Sequence, residues 1–371
     1  MDVSVKNHPT SISTTAHLSD DCLHLIFEKL DSKIDQKSFG LTCHNFLNIQ
    51  NSSRKSLKLG CLRLFLYCPH HAESFIIHRL LNRFTRLESL SLGHCFEIRD
   101  SDLTPLLKHG SELHYLFLNF CCGVTYVGLS YVASGCKLLT EVNLGRCENI
   151  TDHGIRLLNQ NCRQLRSLNI YGCDKVTGVS FYGFSSTLAC LEANSCAFDS
   201  TGVGGILSGG GLEYLNLHHL QERIEGNGLE AIGLGLASNL KVLNFYMCNF
   251  VEDAAIIEIS RGCPLLLEWN LSYCEKIGIA GWESIGLHCN NLERLHVIGC
   301  KNLCDSGLLA LGNGCKHLSV IYINNYQQIT PSGFLNFKKQ KSGVEISYKF
   351  IWNILPSWAF TTYKKNHLKR N

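Results

Sequence analysis

The chain has 371 residues, of which 45% are hydrophobic, so it exceeds one typical compact domain and can bury a sizeable core. Its formal net charge is only +3, which argues against a globally basic surface for nucleic acid. Even this excess is local, because the chain from Lys338 onward has eight Lys or Arg against one acid, Glu345, and the remainder has 26 basic and 30 acidic residues.

The first residues predict no secretory or membrane route. Residues 1–21 are polar and lack the apolar core of a signal peptide, and we expect residues 1–16 to be disordered. No apolar run reaches the length of a membrane span, since Phe350–Phe360 is short and interrupted by Asn353 and Pro356. We therefore expect a cytoplasmic and/or nuclear protein without stable membrane insertion, whose 20 cysteines are reduced.

Residues 17–55 predict a small all-helical module. Ser19 is a suitable N-cap, and an apolar helix face follows, formed by Leu23, Ile26, Phe27 and Leu30. A second helix is predicted from near Asp35, with apolar positions at Phe39, Leu41, Cys43, Phe46 and Leu47. So few residues cannot bury a good core alone, which indicates that a partner or the rest of the chain completes it.

Residues 56–86 predict a linker and an atypical capping repeat. Leu57-Lys-Leu59 suits an irregular first strand, and Ala72–Phe84 has helical periodicity. The end of a stacked structure would otherwise expose its core, so a cap is expected here.

Residues 87–337 hold ten copies of a repeat of about 26 residues. The copies begin at Leu87, Leu113, Leu139, Leu165, Leu188, Leu212, Leu240, Leu266, Leu292 and Leu318. Each has an L-x-L core with the period of a strand, followed by helical spacing, which is the pattern of a leucine-rich repeat. We predict an α/β solenoid with a parallel sheet on the concave face and helices on the convex face. Steps of 23, 24 and 28 residues make the middle irregular.

Thirteen of the 20 cysteines occupy equivalent positions in the repeats. One set follows the last strand leucine by three residues, as Cys147 follows Leu144, and the other precedes the next copy by three residues, as Cys162 precedes Leu165. A thiol in such a place acts as a small buried hydrophobe. No Cys-x-x-Cys pair supports a metal cluster or a disulfide framework.

The repeats resemble the cysteine-containing subfamily of leucine-rich repeats. The pattern L-x-x-L-x-L-x-x-C-x-x-I-T-D-x-G-L-x-x-L is clearest at Leu139–Leu158 and Leu292–Leu311. Within it, Thr151–Asp152 is typical of a helix start, where a short polar side chain caps free N–H groups. In proteins similar to this one an F-box usually precedes such repeats, which implies a small helical F-box and a right-handed solenoid.

The segment Leu18–Leu47 resembles an F-box. The resemblance implies an adaptor-binding role for eight residues, which are Leu18, Leu23, Ile26, Phe27, Leu30, Leu41, Cys43 and Phe46. Ser19 replaces the usual proline and Phe46 the usual tryptophan, so docking onto an adaptor is expected to be weaker. The layout as a whole looks like a plant F-box/LRR-repeat protein.

The concave face is the predicted substrate surface, because a solenoid presents an extended curved surface there. Outward-facing tyrosine, arginine and histidine suit protein interfaces. The candidates are Tyr115, Phe117, Arg146, Tyr171, Tyr214, His218, Tyr246, Tyr273, His296 and Tyr322. The alternative is that such positions only suit a solvated sheet.

No other motif predicts chemistry. Cys61, Cys68, His70 and His71 lack the gaps and the distant second pair of a zinc site, so we expect no metal and no cofactor. Gly209–Gly211 is better explained by a tight turn between repeats than by a phosphate loop. No stretch marks a catalytic elbow or triad.

The resemblance implies a non-catalytic substrate receptor of an SCF-type ubiquitin ligase. Its F-box binds a Skp-family adaptor, which joins a cullin and a RING subunit, and its repeats bind an unknown protein substrate. Two alternatives stay open: a small-molecule or hormone co-receptor of the same architecture, disfavoured by the few basic concave residues, and an interaction scaffold without a ligase role.

The basic tail at residues 338–371 departs from the repeat spacing. It mixes lysine pairs with Ile351, Trp352, Trp358 and Phe360. A distorted cap, an amphipathic segment at a membrane surface and unstructured sequence are the alternatives, and we favour poor order.

Overall fold

The computed structural model describes residues 18–59, 72–220 and 228–360. The chain divides into two compact units, residues 1–54 and residues 55–371.

The first unit contains three described helices, α1 (Asp20–Glu28), α2 (Lys33–Thr42) and α3 (His44–Ser53). The Ser19 side chain caps α1 by accepting a hydrogen bond from the Cys22 amide, as predicted. The predicted second helix is wrong in one respect, because the backbone is extended at Cys43 and divides it into α2 and α3. This break lets the Phe46 ring of α3 stack on Phe39 of α2 at 4.4 Å.

The second unit is built on one parallel sheet, in which the described strands lie side by side in chain order. The twelve strands are β1 (Ser56–Lys58), β2 (Ser89–Ser91), β3 (Tyr115–Phe117), β4 (Glu141–Asn143), β5 (Ser167–Asn169), β6 (Cys190–Glu192), β7 (Tyr214–Asn216), β8 (Val242–Asn244), β9 (Glu268–Asn270), β10 (Arg294–His296), β11 (Val320–Tyr322) and β12 (Glu345–Ser347). The ten predicted repeats supply β2–β11, and β1 and β12 extend the sheet at its two ends. The predicted leucine-rich-repeat solenoid is therefore confirmed.

Helices connect most of the strands. They are α4 (Ala72–Arg83), α5 (Leu106–His109), α6 (Tyr126–Gly135), α7 (Asp152–Asn161), α8 (Ser200–Leu207), α9 (Asp253–Gly262), α10 (Ile279–His288), α11 (Asp305–Gly314) and α12 (Pro331–Gln340). In two repeats of the irregular middle the described residues form a 3₁₀ turn instead of a helix, at Val179–Phe181 and at Glu230–Gly233. The first of these turns lies in the shortest repeat, the 23 residues from Leu165 to Leu188.

The core is one continuous column, because the middle residue of each strand pairs with the middle residue of the next. Leu90 lies beside Leu116, and Leu243 beside Trp269, and all four are fully buried. Alternation in a strand then turns the first and third residues to the opposite side of the sheet. We call the surface formed by those residues and the segments that follow them the concave face.

The Asp of the Thr-Asp pattern joins neighbouring repeats. Thr151 occupies the N-cap position of α7 but makes no side-chain capping bond. Instead, the Asp152 carboxylate accepts hydrogen bonds from the amide and hydroxyl of Thr177, both at 2.9 Å, and from the Gly178 amide. Asp100 and Asp305 hold Thr125 and Thr330 in the same way. The predicted local cap is thus a bond between repeats, which satisfies the free amides at the start of the next helical turn.

The expectation of a poorly ordered tail is wrong for residues 338–360. The α12 helix reaches Gln340, and β12 pairs with β11 through Ile346 and Ile321. The chain then crosses the concave face, where Ile354, Ala359 and Phe360 are buried. Long-range contacts that leave no local periodicity order this segment. Residues 361–371 lie outside the described part of the chain.

Candidate functional site

The eight residues assigned to adaptor binding separate into two groups. Leu23 and Phe27 are buried in the helical unit, and Leu30 and Phe46 pack against them. The remaining four are exposed, namely Leu18, Ile26, Leu41 and Cys43. The first group holds the unit together, and only the second is open to a partner, so this set stays a prediction with a narrower surface.

Further apolar side chains enlarge that exposed surface. Leu25 on α1 and Ile34 on α2 are exposed, and Leu41 is 85% exposed. Sequence reasoning missed Leu25 and Ile34, because they do not lie on the periodic face that points inward. Five large apolar side chains of this small unit are thus exposed, namely Leu18, Leu25, Ile26, Ile34 and Leu41, and their adaptor-binding role stays a prediction.

On the concave face, the ten predicted substrate residues also differ in exposure. Six are partly exposed or lie near the surface, which are Tyr115, Arg146, Tyr171, Tyr246, Tyr273 and Tyr322. The other four are buried, which are Phe117, Tyr214, His218 and His296. All four were predicted to face outward, but three of them are covered by other residues. Tyr214 and His218 lie against residues 348–360, and His296 is bound by Glu268 of the neighbouring strand.

Asparagines at the third strand position form a ladder of amide groups. The Asn244 Oδ1 atom accepts from the Tyr246 amide at 3.0 Å, and the Asn270 Oδ1 atom accepts from the Ser272 amide at 3.0 Å. The same bond occurs at Asn143, Asn169 and Asn216. Because the oxygen is engaged with the backbone, the fixed NH₂ group remains as a donor on the concave face.

Glu192 interrupts this ladder with a buried carboxylate. It accepts hydrogen bonds from the Tyr214 hydroxyl and from Asn216 Nδ2, the latter at 2.9 Å. Burial raises the pKa of the Glu192 carboxyl to about 7, although both hydrogen bonds act in the opposite direction. The group therefore changes charge close to neutral pH.

A second carboxylate, Glu268, organises the far end of the face. Its oxygens lie 2.9 Å from Arg294 Nε and 2.8 Å from His296 Nε2. The His296 ring stacks on Tyr322 with centroids 4.0 Å apart. Glu268, Arg294, His296 and Tyr322 therefore bind one another, and this network holds their side chains in fixed positions on the surface.

The last residues that the structure describes lie across the centre of the concave face. We call residues 348–360 the tail segment. Asn270 Nδ2 donates to the Ile351 carbonyl at 3.1 Å, and Asn244 Nδ2 donates to the Trp352 carbonyl at 3.0 Å. The Ser167 hydroxyl donates to the Ala359 carbonyl at 2.6 Å. All three side chains therefore donate to main-chain carbonyl groups of the tail segment.

Apolar contacts accompany these bonds. Ile354, Ala359 and Phe360 of the tail segment form a buried cluster with Ala189, which precedes β6, and with three strand residues, Cys190, Tyr214 and Val242. The last three are aligned first positions of β6, β7 and β8. We call the surface formed by Ser167, Ala189, Cys190, Tyr214, Val242, Asn244 and Asn270 the groove.

Aromatic rings line one side of the groove. Phe350 lies between Tyr246 and Tyr273, with centroid distances of 5.5 and 6.2 Å. Trp352 meets His218 at 5.9 Å. Burial lowers the pKa of His218 to about 4, so the ring is neutral at physiological pH. Four of the predicted substrate residues, Tyr214, His218, Tyr246 and Tyr273, therefore touch the tail segment.

The repeat cysteines lie in the core beneath this surface. Cys147 Sγ donates to the Leu118 carbonyl of the preceding repeat at 3.0 Å, and Cys173 donates to the Leu144 carbonyl at 3.2 Å. Burial raises the pKa of the Cys147 thiol to about 12. A protonated, buried thiol is a poor nucleophile and metal ligand, so these cysteines serve packing and link one repeat to the next.

Other chemistry is not supported within the described residues. They contain no group of His, Cys, Asp and Glu arranged to hold a metal ion. The possible zinc ligands Cys61, Cys68, His70 and His71 lie outside the residues that the structure describes. No described helix is long and apolar enough to cross a membrane.

Comparisons with known proteins agree with this architecture. No family model matches the chain. F-box/LRR-repeat protein 12 of Arabidopsis thaliana is 46% identical, over 72% of this chain and 74% of its own length. F-box/LRR-repeat protein 4 of Bos taurus is 32% identical over 37% of this chain and 22% of its own length.

Among solved structures, a chain of the yeast Rad7 and Elc1 complex superposes with a TM-score of 0.55. That likeness covers 88% of this chain and 92% of the other at 17% identity, which shows a shared fold. The relative from Arabidopsis matches closely enough in sequence and in length to show the family. The chain therefore belongs to the F-box/LRR-repeat proteins, as its resemblance to the plant members indicated.

Proposed function

We propose that this chain is the substrate-recognition subunit of an SCF-type ubiquitin ligase and that it has no catalytic residues of its own. The proposal is supported by one observation: this member of the family combines a small helical unit that exposes apolar residues with a solenoid whose concave face carries the groove. The first binds a Skp-family adaptor, linked to cullin and RING subunits, and the second binds a protein marked for degradation. Such a complex acts in the cytoplasm or the nucleus.

The division of labour explains why no acid, base or nucleophile is required. A receptor raises the local concentration of a substrate lysine beside the charged conjugating enzyme, and effective concentrations of this kind accelerate transfer without new chemistry. Burial raises the pKa of Cys147 to about 12 and that of Cys196 to about 12, so these thiols are not prepared for acyl transfer.

The co-receptor alternative finds less support. A pocket for a polyanion needs unpaired basic groups, but Arg294 is paired with Glu268, and Arg146 stacks on Tyr171 at 4.7 Å. The Arg146 Nη2 atom also donates to the Tyr171 hydroxyl at 2.8 Å. These two arginines already have partners, so the receptor of proteins remains the better proposal.

Adaptor binding is tested with tagged full-length protein and a purified Skp-family adaptor. We expect Ile26→Asp or Leu41→Asp to reduce co-purification by about tenfold or more, because each places a charge on the exposed apolar surface without disturbing Leu23 or Phe27. Leu287→Asp, on the exposed side of α10, is the matched control and keeps wild-type binding.

Phe27→Ala is not a clean test, because Phe27 belongs to the core of the unit and its loss also removes the fold. If the wild-type chain captures no adaptor, or if Ile26→Asp and Leu41→Asp bind as well as Leu287→Asp, the ligase proposal fails and the scaffold alternative replaces it.

A further inference from the structure

We propose that the groove is a binding site for an extended peptide with aliphatic and aromatic side chains, and that the tail segment occupies it as an intramolecular stand-in for that peptide. This inference rests on the proposed function only where it takes the peptide to be part of a protein that is ubiquitinated. Binding of a peptide to the groove is measurable without any adaptor.

The donors of the groove recognise a main chain rather than one sequence. Asn244, Asn270 and Ser167 all donate to backbone carbonyls of the tail segment, at distances between 2.6 and 3.1 Å. Any extended peptide presents such carbonyls. Because each asparagine oxygen is held by the backbone of its own repeat, the donors are fixed before a peptide arrives.

The apolar part of the groove supplies selectivity. Ile354 and Phe360 are buried against the aligned side chains of Cys190, Tyr214 and Val242, beside which Tyr246 and Tyr273 accept an aromatic ring. Main-chain hydrogen bonds give affinity in such complexes, and pockets for side chains give specificity. The groove therefore fits a peptide that carries an aliphatic residue and aromatic residues near it.

The tail segment fits the groove incompletely. Trp352 and Phe350 are 53% and 50% exposed, although they are among its largest side chains. Among the described residues, none provides a hydrogen-bond partner for the buried ring nitrogens of His218, which lies against Trp352. Such buried polar groups are costly to leave unpaired, so a peptide with a suitable polar side chain has more to gain here than the tail segment does.

Because the tail segment is part of the same chain, it competes with a free peptide for the groove. The tail segment begins directly after β12, so its effective concentration at the groove is high, in the millimolar range for a short linker. A peptide in solution binds only the fraction of molecules whose groove is free, and its apparent affinity falls by that fraction. Weakening the tail segment alone should therefore strengthen binding of a free peptide.

The test uses the full-length chain and a fluorescein-labelled synthetic peptide with the sequence of residues 348–360, followed by fluorescence anisotropy. In the Ile354→Asp variant the tail segment loses its buried aliphatic anchor. We therefore expect the variant protein to bind the labelled peptide about tenfold more tightly than wild type does. Adding Val242→Asp in the groove should abolish this gain. Leu287→Asp is the control for an aliphatic-to-acid change outside the groove and should behave as wild type.

Circular dichroism and thermal unfolding verify that each variant is folded. If Ile354→Asp is not, Trp352→Ala, which removes a half-exposed ring from the same segment, replaces it with the same expected direction. A scrambled peptide of identical composition should bind at least tenfold more weakly than the native sequence.

The inference is overturned if a folded Ile354→Asp protein binds the peptide no better than wild type, if Val242→Asp leaves binding unchanged, or if the scrambled peptide binds equally well. Adaptor capture by the same preparations separates the two proposals. If the peptide does not bind as expected but the adaptor is captured, the groove proposal is rejected and the receptor role stands. If the peptide binds as expected but no adaptor is captured, the receptor role is rejected and the groove proposal stands.

Discussion

The two compact units bury their apolar residues in different ways. In the solenoid each repeat covers the next, and the middle strand residues such as Leu168 and Leu243 are fully buried. Among its described residues, the helical unit buries Leu23, Phe27 and Ile49 as its core, while five large apolar residues, Leu18, Leu25, Ile26, Ile34 and Leu41, are exposed. Each stacked repeat covers the apolar face of its neighbour, whereas a small helical unit buries little of its own apolar surface.

The largest expected effect concerns the column of core residues in the solenoid. Trp269 is fully buried at the centre of β9, and Trp269→Ala should lower the free energy of unfolding by about 3–5 kcal/mol because it leaves a large cavity. Urea unfolding followed by circular dichroism measures the change. Trp358→Ala, at a 39% exposed position of the tail segment, is the matched control and should cost much less.

The same experiment on the helical unit sharpens the contrast. Phe27→Ala removes a ring from the small core, so we expect the helical unit to lose its order while the solenoid transition keeps its midpoint. A solenoid midpoint lowered as far by Phe27→Ala as by Trp269→Ala would show that the two units do not stabilise themselves separately.

An intermediate effect is expected from Glu192, because burial raises the pKa of its carboxyl. The ordinary pKa of 4.5 is raised to about 7 at Glu192, so the folded state holds the proton more tightly than the unfolded state. Its contribution to stability is complete below pH 4.5 and is lost as the pH rises through about 7.

Glu192→Gln should therefore be more stable than wild type by about 1–3 kcal/mol at pH 8 and by much less at pH 5, since the amide cannot ionise. The Tyr214 hydroxyl can accept as well as donate, so both hydrogen bonds survive. Urea titrations at several pH values measure this, with the exposed Glu148→Gln as the control. An identical pH dependence in Glu192→Gln and wild type would show that Glu192 is ionised in the folded protein at neutral pH.

The smallest effect distinguishes the cysteines of the two units. Cys22 and Cys43 are exposed in the helical unit, whereas Cys147 and Cys196 are buried with pKa values raised to about 12. A thiol reagent should modify Cys22 and Cys43 in native protein and the buried pair only after unfolding, as mass spectrometry of peptides would report. Cys43→Ser should change the free energy of unfolding by less than about 0.5 kcal/mol. Rapid labelling of Cys147 in native protein would contradict a tightly stacked core.

Short-range patterns explain what was predictable from sequence. The L-x-L spacing located β2–β11, and the cysteine positions predicted the buried thiols, because both repeat with the period of the structural unit itself. The first helix was predictable from its N-cap and apolar face, but the division at Cys43 was not, since it depends on how Phe39 and Phe46 stack. Of the ten predicted substrate residues, Phe117, Tyr214, His218 and His296 are buried, and the substrate-binding role of the set stays a prediction.

Residue spacing within one repeat or between neighbouring repeats was enough to predict the repeat, the parallel sheet and the column of leucines and thiols. The bond from Asp152 to a neighbouring repeat and the position of residues 348–360 in the groove became visible in the folded chain alone. Ser167 and Ala359 are separated by 192 residues, and Asn244 and Trp352 by 108. No periodic signal links positions so far apart, because their contact arises only after the repeats have stacked and brought their strands into one surface.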